Sequence, residues 1–123
     1  MYPSDRRYTK DHEWVSVSGS QGRMGVTDYA QQQLGDVVFV ELPAVGAEVK
    51  QGQSCGTIES VKAVSELYSP VSGKVAQVNP VVSTKPETVN SDPHGTWLIV
   101  VELSNPKEID SLLTAEQYSE LVK

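Results

Sequence analysis

A single cysteine, Cys55, leaves an internal disulfide without a second partner. Its place in a strand-like run marks it as a small, buried or half-buried hydrophobe, because a reactive thiol needs an electropositive and accessible setting. If the protein handles redox sulfur, that sulfur comes with a cofactor. Histidine is nearly as scarce: His12 and His94 are the only two and lie far apart in sequence. A metal site generally needs three or four convergent ligands, so each reads as an exposed or hydrogen-bonded structural residue and no metal is expected. GxSxG, P-loop, dinucleotide glycine fingerprint, paired cysteines and HExxH are all missing, which removes the usual signs of a self-sufficient active site. The pattern points to a non-catalytic carrier rather than an enzyme. No run approaches the roughly 20 apolar residues of a membrane helix, and the opening MYPSDRR lacks the apolar core of a signal peptide. The expected location is the cytoplasm, or the mitochondrial matrix if a presequence has been removed. Positive charge is short as well, with 10 Lys and Arg against 16 Asp and Glu for a net charge of −6. That balance excludes nucleic-acid and anionic-membrane surfaces, favours basic docking partners, and suits a mobile monomer.

At 123 residues the chain is expected to form one domain, 1–123. Glu13 to Ser18 and Arg23 to Val26 flank Gly19-Ser20-Gln21-Gly22, so an antiparallel hairpin opens the fold, anchored by Trp14. Thr27 caps a short helix carrying Ala30 and Leu34, with Gly35 as its stop. Val37 to Val40 is a continuous β-branched and aromatic run bounded by Gly35 and Pro43, which suits a core strand buried on both faces. From Leu42 to Val78, Pro43, Gly46, Gly52, Pro70 and Gly73 punctuate short runs, a spacing that fits an all-β barrel or sandwich with the glycines as turns. Asn79-Pro80 ends these runs, and a short helix and loop follow up to Pro93. Trp97 to Leu103 returns as a strand. Thr114 to Gln117 forms a capping box for a final helix with Tyr118, Leu121 and Val122 on one side, packed on the barrel. The pattern therefore predicts a mainly β, antiparallel structure with short helices at its ends.

Within it, Gln53 to Glu59 and Ala63 to Tyr68 flank Val61-Lys62, which reads as a tight hairpin with Lys62 at its tip. A solvated ammonium does little chemistry alone, so the use of Lys62 would come from modification. An ordinary surface lysine is the plain alternative. An exposed two-residue turn more cheaply uses Asn-Gly or Asp-Gly, however, and Val61-Lys62-Ala63 looks like a feature that a ligase recognises.

The sequence ESVKA (59–63) followed by YSPVSG (68–73) resembles the lipoyl-lysine hairpin of the glycine cleavage system H protein family. Three further stretches are similar to that family in order and spacing: YTKDHEWV (8–15), GVTDYAQ (25–31) with LGDVVFVELP (34–43), and NSDP (90–93) with GTWL (95–98). The resemblance covers nearly the whole chain. It implies a lipoyl-type barrel-sandwich hybrid with a C-terminal helix, and lipoate joined covalently to Lys62. It also implies a swinging-arm shuttle that receives an aminomethyl group at the pyridoxal-phosphate (PLP) glycine decarboxylase. That group passes to the tetrahydrofolate-dependent aminomethyltransferase, and electrons pass to the FAD-dependent dihydrolipoyl dehydrogenase. A lipoate-attaching enzyme is the fourth partner. Tethering raises the local concentration of the group at each docked site.

In the family the loaded arm folds into a cleft that shields it from water. The resemblance and opposite charge make Glu13, with Glu66, candidates to line that cleft and hold the ammonium of the cargo. Solvated strand carboxylates are the alternative for both, and Glu59 with Glu66 forms a candidate acidic docking patch. Gly95-Thr96-Trp97 carries one glycine where the family often has two, and Ile99 to Val101 lacks a frequent lysine. Neither touches Lys62. Biotin attachment usually sits between methionines, whereas the neighbours here are Val61 and Ala63. An acyltransferase lipoyl domain would lack the segments 1–34 and 97–123. A relay of lipoyl groups in cofactor synthesis would use the same lysine, and an unmodified interaction module would not need it.

Overall fold

The computed structural model describes residues 2–123. Two antiparallel sheets carry the chain. The larger takes β1 (Arg7–Tyr8), β2 (Glu13–Ser18), β3 (Gln21–Val26), β9 (Ile99–Leu103), β8 (Gly73–Val78) and β5 (Glu48–Val49) in that spatial order. The smaller takes β4 (Val37–Glu41), β6 (Ser54–Ser60) and β7 (Val64–Tyr68). Short helices sit at the connections: α1 (Asp28–Leu34), α2 (Val81–Thr84), α3 (Thr88–Ser91), a 3-10 turn (Pro106–Ser111) and α4 (Ala115–Leu121). No helix among the described residues is long and apolar enough to cross a membrane. The sheets face each other without closing into a barrel. One core between them buries Val15, Met24, Val40, Ile58, Leu67, Val75, Ile99 and Val101.

The opening hairpin turns in two residues, Gly19-Ser20, rather than four, since β3 already pairs at Gln21 with Ser18. Trp14 anchors it as expected: its indole Nε1 donates to the Val26 carbonyl at 3.0 Å and the Pro93 carbonyl at 3.1 Å. Thr27 caps α1 by accepting the Ala30 N–H, and Gly35 ends the helix. The capping box of α4 is present, with Thr114 and Gln117 satisfying each other's backbone donors.

Four further expectations are corrected. Val37 to Val40 is not a core strand buried on both faces. It is an edge strand paired only with β6, with a bulge between Val37 and Phe39 that leaves Val38 and Phe39 47% and 52% exposed. Gly73 is not a turn: it begins β8, where a Cβ would lie 1.9 Å from the Glu102 carbonyl oxygen, so glycine is required by close approach. The stretch before Pro93 holds two one-turn helices, α2 and α3, instead of one. On α4 only Tyr118 is fully buried, stacked on Tyr8 at 4.9 Å, while Leu121 is 52% exposed, because the helix packs on β1 with one turn rather than along its length.

Candidate functional site

The β6–β7 hairpin pairs Glu59 with Val64 and Thr57 with Glu66, which leaves Val61 and Lys62 as the loop residues. Lys62 is exposed at the tip. The turn lacks the usual Asn-Gly, and Ser60 supplies what is missing. Its N–H donates to the Ala63 carbonyl at 2.8 Å, and its buried Oγ accepts the N–H groups of Ala63 at 3.1 Å and Lys62 at 3.3 Å. A serine hydroxyl that satisfies the backbone a few residues on is a known turn device, so Ser60 was readable in principle; the sequence reading passed over it.

A second brace comes from outside the hairpin. The Val61 N–H donates to the Asp36 carbonyl at 3.0 Å, docking the tip on the link between α1 and β4. Gly35 has φ 79 and ψ −157, a region essentially reserved for glycine. The aliphatic stem of Lys62 passes beside it, its Cε 3.5 Å from where a Cβ would stand. The lysine is thus fixed at its backbone and free at its amine.

From Ala63 a cleft of about 290 Å³ runs between β7 and α1. Val26, Ala30, Leu34, Ile58, Val64 and Leu67 make its apolar wall, and Glu13 and Glu66 both line it. Glu13 is only 2% exposed. One carboxylate oxygen accepts the Thr9 hydroxyl at 2.7 Å and the other accepts the Tyr68 N–H at 3.2 Å. Burial pushes its pKa up to about 8, against the opposing pull of those two hydrogen bonds. Glu13 is therefore not the solvated strand carboxylate of the plain reading. Glu66 is exposed and accepts a hydrogen bond from the Ser54 hydroxyl.

Glu59 stays outside the cleft. It shares a face of the hairpin with Val64 and Glu66, but those two lie on the edge strand β7 at the rim of the cleft, whereas Glu59 lies one strand further in, between Phe39 of β4 and Val64 of β7. Glu41, opposite Thr57, adds a third acid to that face. His12, which lines the cleft beside Glu13, was read only as a structural residue. Its Nδ1 meets the Tyr118 hydroxyl at 2.8 Å, and the same hydroxyl meets Thr27 Oγ1 at 2.7 Å. His94 accepts the Asp28 N–H at 3.2 Å, so both histidines are hydrogen-bonded. Cys55 is half-buried, and burial, with Glu13 adding to it, pushes its thiol up to about 12.

The residues present fit a tethered, mostly apolar arm with a polar end: an exposed amine, an apolar groove that starts one residue beyond it, a buried carboxyl in the groove and a second, exposed one at its rim. Comparison with known proteins agrees. A family model described as glycine cleavage H-protein matches residues 6–123. The glycine cleavage system H protein of Koribacter versatilis is 56% identical over 117 residues, covering 95% of this chain and 90% of the relative. That of a Geobacillus species is 56% identical over 122 residues, covering 98% and 96%. A crystal structure of a glycine cleavage system H protein from Mycobacterium marinum superposes with a TM-score of 0.89 at 41% identity, covering 97% of both chains.

Proposed function

The chain belongs to the glycine cleavage H-protein family, and we propose that it performs that family's task, as the lipoyl carrier of the glycine cleavage system, through Lys62. The observation that carries the residue assignment is an exposed lysine braced at its backbone by Ser60 and Asp36, next to a cleft that begins at Ala63 and holds a buried acid. Residues 1–123 act as one carrier domain, with no chemistry of its own beyond binding and release.

Lipoate joined to Lys62 Nζ as an amide would supply a disulfide that accepts a carbon fragment and an electron pair. The protein's part is presentation and protection. Ser60 and the Asp36 carbonyl hold the tip rigid, so that the arm moves and its root does not. Ala30, Leu34 and Leu67 exclude water from the groove. Glu13, largely protonated in the empty cleft at neutral pH, would ionise beside an ammonium group carried on the arm, because a cation beside a carboxyl lowers its pKa. Its proton would leave through the mouth of the cleft, and the resulting charge pair would hold the cargo, with Glu66 at the rim as the second carboxylate. Glu59 and Glu66 on their shared face of the hairpin form the acidic rim that meets basic surfaces of the glycine decarboxylase, the aminomethyltransferase, the dihydrolipoyl dehydrogenase and the lipoate-attaching enzyme.

The test is the intact mass, with peptide mapping, after incubation with lipoate, ATP and a lipoate ligase, alongside Lys62→Arg and a known lipoyl domain. One lipoyl group on Lys62 alone, and none on the variant, is the expected result. Modification of the control domain without modification of this chain overturns the assignment.

A further inference from the structure

The stretch Asn90 to Pro93 took no part in the site described so far, yet the Asn90 side chain reaches the shelf on which the lysine hairpin rests. Its Nδ2 donates to the Gly35 carbonyl at 2.8 Å and to Gln31 Oε1 at 3.0 Å, and its Oδ1 accepts the Val37 N–H at 2.8 Å. Asn90 therefore grips the link Gly35-Asp36-Val37 from both sides of Asp36. The Asp36 carbonyl, held between those two grips, is the acceptor for the Val61 N–H.

We propose that Asn90 is a positioning residue for Lys62: from α3 it fixes the Asp36 carbonyl, and through the Val61 N–H it sets how the hairpin tip presents the lysine. An asparagine amide is suited to this because it donates and accepts in one plane, which neither Asp nor Leu does. Two of the three hydrogen bonds replace those the helix end and the bulged edge strand cannot make themselves: the Gly35 carbonyl lies past the end of α1, and the Val37 N–H is turned to Asn90. Gln31 holds the amide in turn and is itself held by Asp28 at 2.8 Å. The tip is thereby braced by two independent devices. Ser60 shapes the turn from within, and Asn90 sets its height above α1 from without. The proposal rests on Lys62 as the modified residue only for its consequence in modification; the mechanical part stands alone.

The experiment compares wild type, Asn90→Ala and Asn90→Asp. The Asp variant keeps an acceptor for Val37 and loses the donor to Gly35. The control is Asn79→Ala, which removes a similar clamp elsewhere, where Asn79 donates to the Trp97 carbonyl at 2.7 Å and accepts the Val81 N–H at 3.0 Å. Two readouts are taken: amide hydrogen exchange at Val61, and the rate of lipoate attachment by a lipoate ligase. Both Asn90 variants should exchange Val61 about tenfold faster than wild type and accept lipoate several-fold more slowly, the size expected for loosening one such hydrogen-bonded contact. Asn79→Ala should match wild type in both after correction for global stability. Should Asn90→Ala not fold, Asn90→Asp makes the same comparison. Unchanged Val61 exchange in the Asn90 variants overturns the proposal, as does equal slowing of attachment in Asn79→Ala. If wild type accepts no lipoate, the assignment of Lys62 fails and Val61 exchange alone decides the role of Asn90.

Discussion

The backbone N–H of Tyr68 donates to the Glu13 carboxylate at 3.2 Å, across 55 positions of sequence. Tyr68 closes the second strand of the lysine hairpin and Glu13 opens the second strand of the larger sheet, so one acid joins the two sheets at the floor of the cleft. The contact is structural in the empty protein. Its location at the cleft is what the proposed role of Glu13 toward a cationic cargo rests on.

Stability should depend on pH through this acid. The native state holds the Glu13 proton up to about 8, where an unburied glutamate releases it near 4.5. Between those values unfolding releases a proton, so this contribution is fully present at low pH and is lost as pH rises. Glu13→Gln should flatten the profile, gaining relative to wild type by on the order of 1 kcal/mol per pH unit within the window. Urea unfolding between pH 5 and pH 9 measures the difference; parallel curves for the two proteins would count against a buried neutral acid.

Glu13→Gln should also shorten the life of the aminomethyl-loaded protein. Loss of a charge-assisted hydrogen bond in a largely apolar cleft corresponds to about tenfold faster loss of cargo. Formaldehyde or ammonia released without the transferase is the readout, with Glu66→Gln showing a smaller effect because Glu66 is exposed. Glu59→Gln should match wild type, since Glu59 does not line the cleft. An unchanged lifetime in Glu13→Gln would remove the shielding role.

Gly35→Ala should lower stability by about 1–3 kcal/mol, the strain of holding a side chain in that backbone region. The added methyl would meet only the stem of Lys62 at ordinary contact distance, so the cost comes from φ 79 and ψ −157 and not from a clash. Thermal unfolding reports the loss, and the same variant should accept lipoate more slowly.

Cys55 should resist alkylation in the native protein at pH 8, its thiol being half-buried and pushed up to about 12. Labelling with iodoacetamide in a urea series should track global unfolding. Fast labelling in buffer would show the strand opening locally.

The residues that follow a local rule were legible in the sequence. Thr27 and Thr114 cap helices because a hydroxyl beside free N–H groups does so anywhere, and Lys62 falls in a two-residue link between two strand-like runs. Val37 to Val40 was misread because an apolar run does not say whether it lies in the middle of a sheet or at its edge. The bulge that turns Val38 and Phe39 outward is set by pairing with β6, which only the assembled sheet defines. Glu13 could be named from resemblance, but its burial depends on Thr9 and Tyr68 closing over it. Asn90 lies 53 positions from Val37, and no local pattern announces a clamp of that span.

Phe39, Val61 and Val64 stay 52%, 70% and 65% exposed around the lysine. In a neutral protein such a cluster would draw copies of the chain together. Here 16 acidic residues against 10 basic ones make every copy repel its like, while the apolar cluster remains open to a basic stranger. Colloidal behaviour thus becomes a filter on company: raising the salt concentration weakens the repulsion, and self-association should be the first sign of its loss.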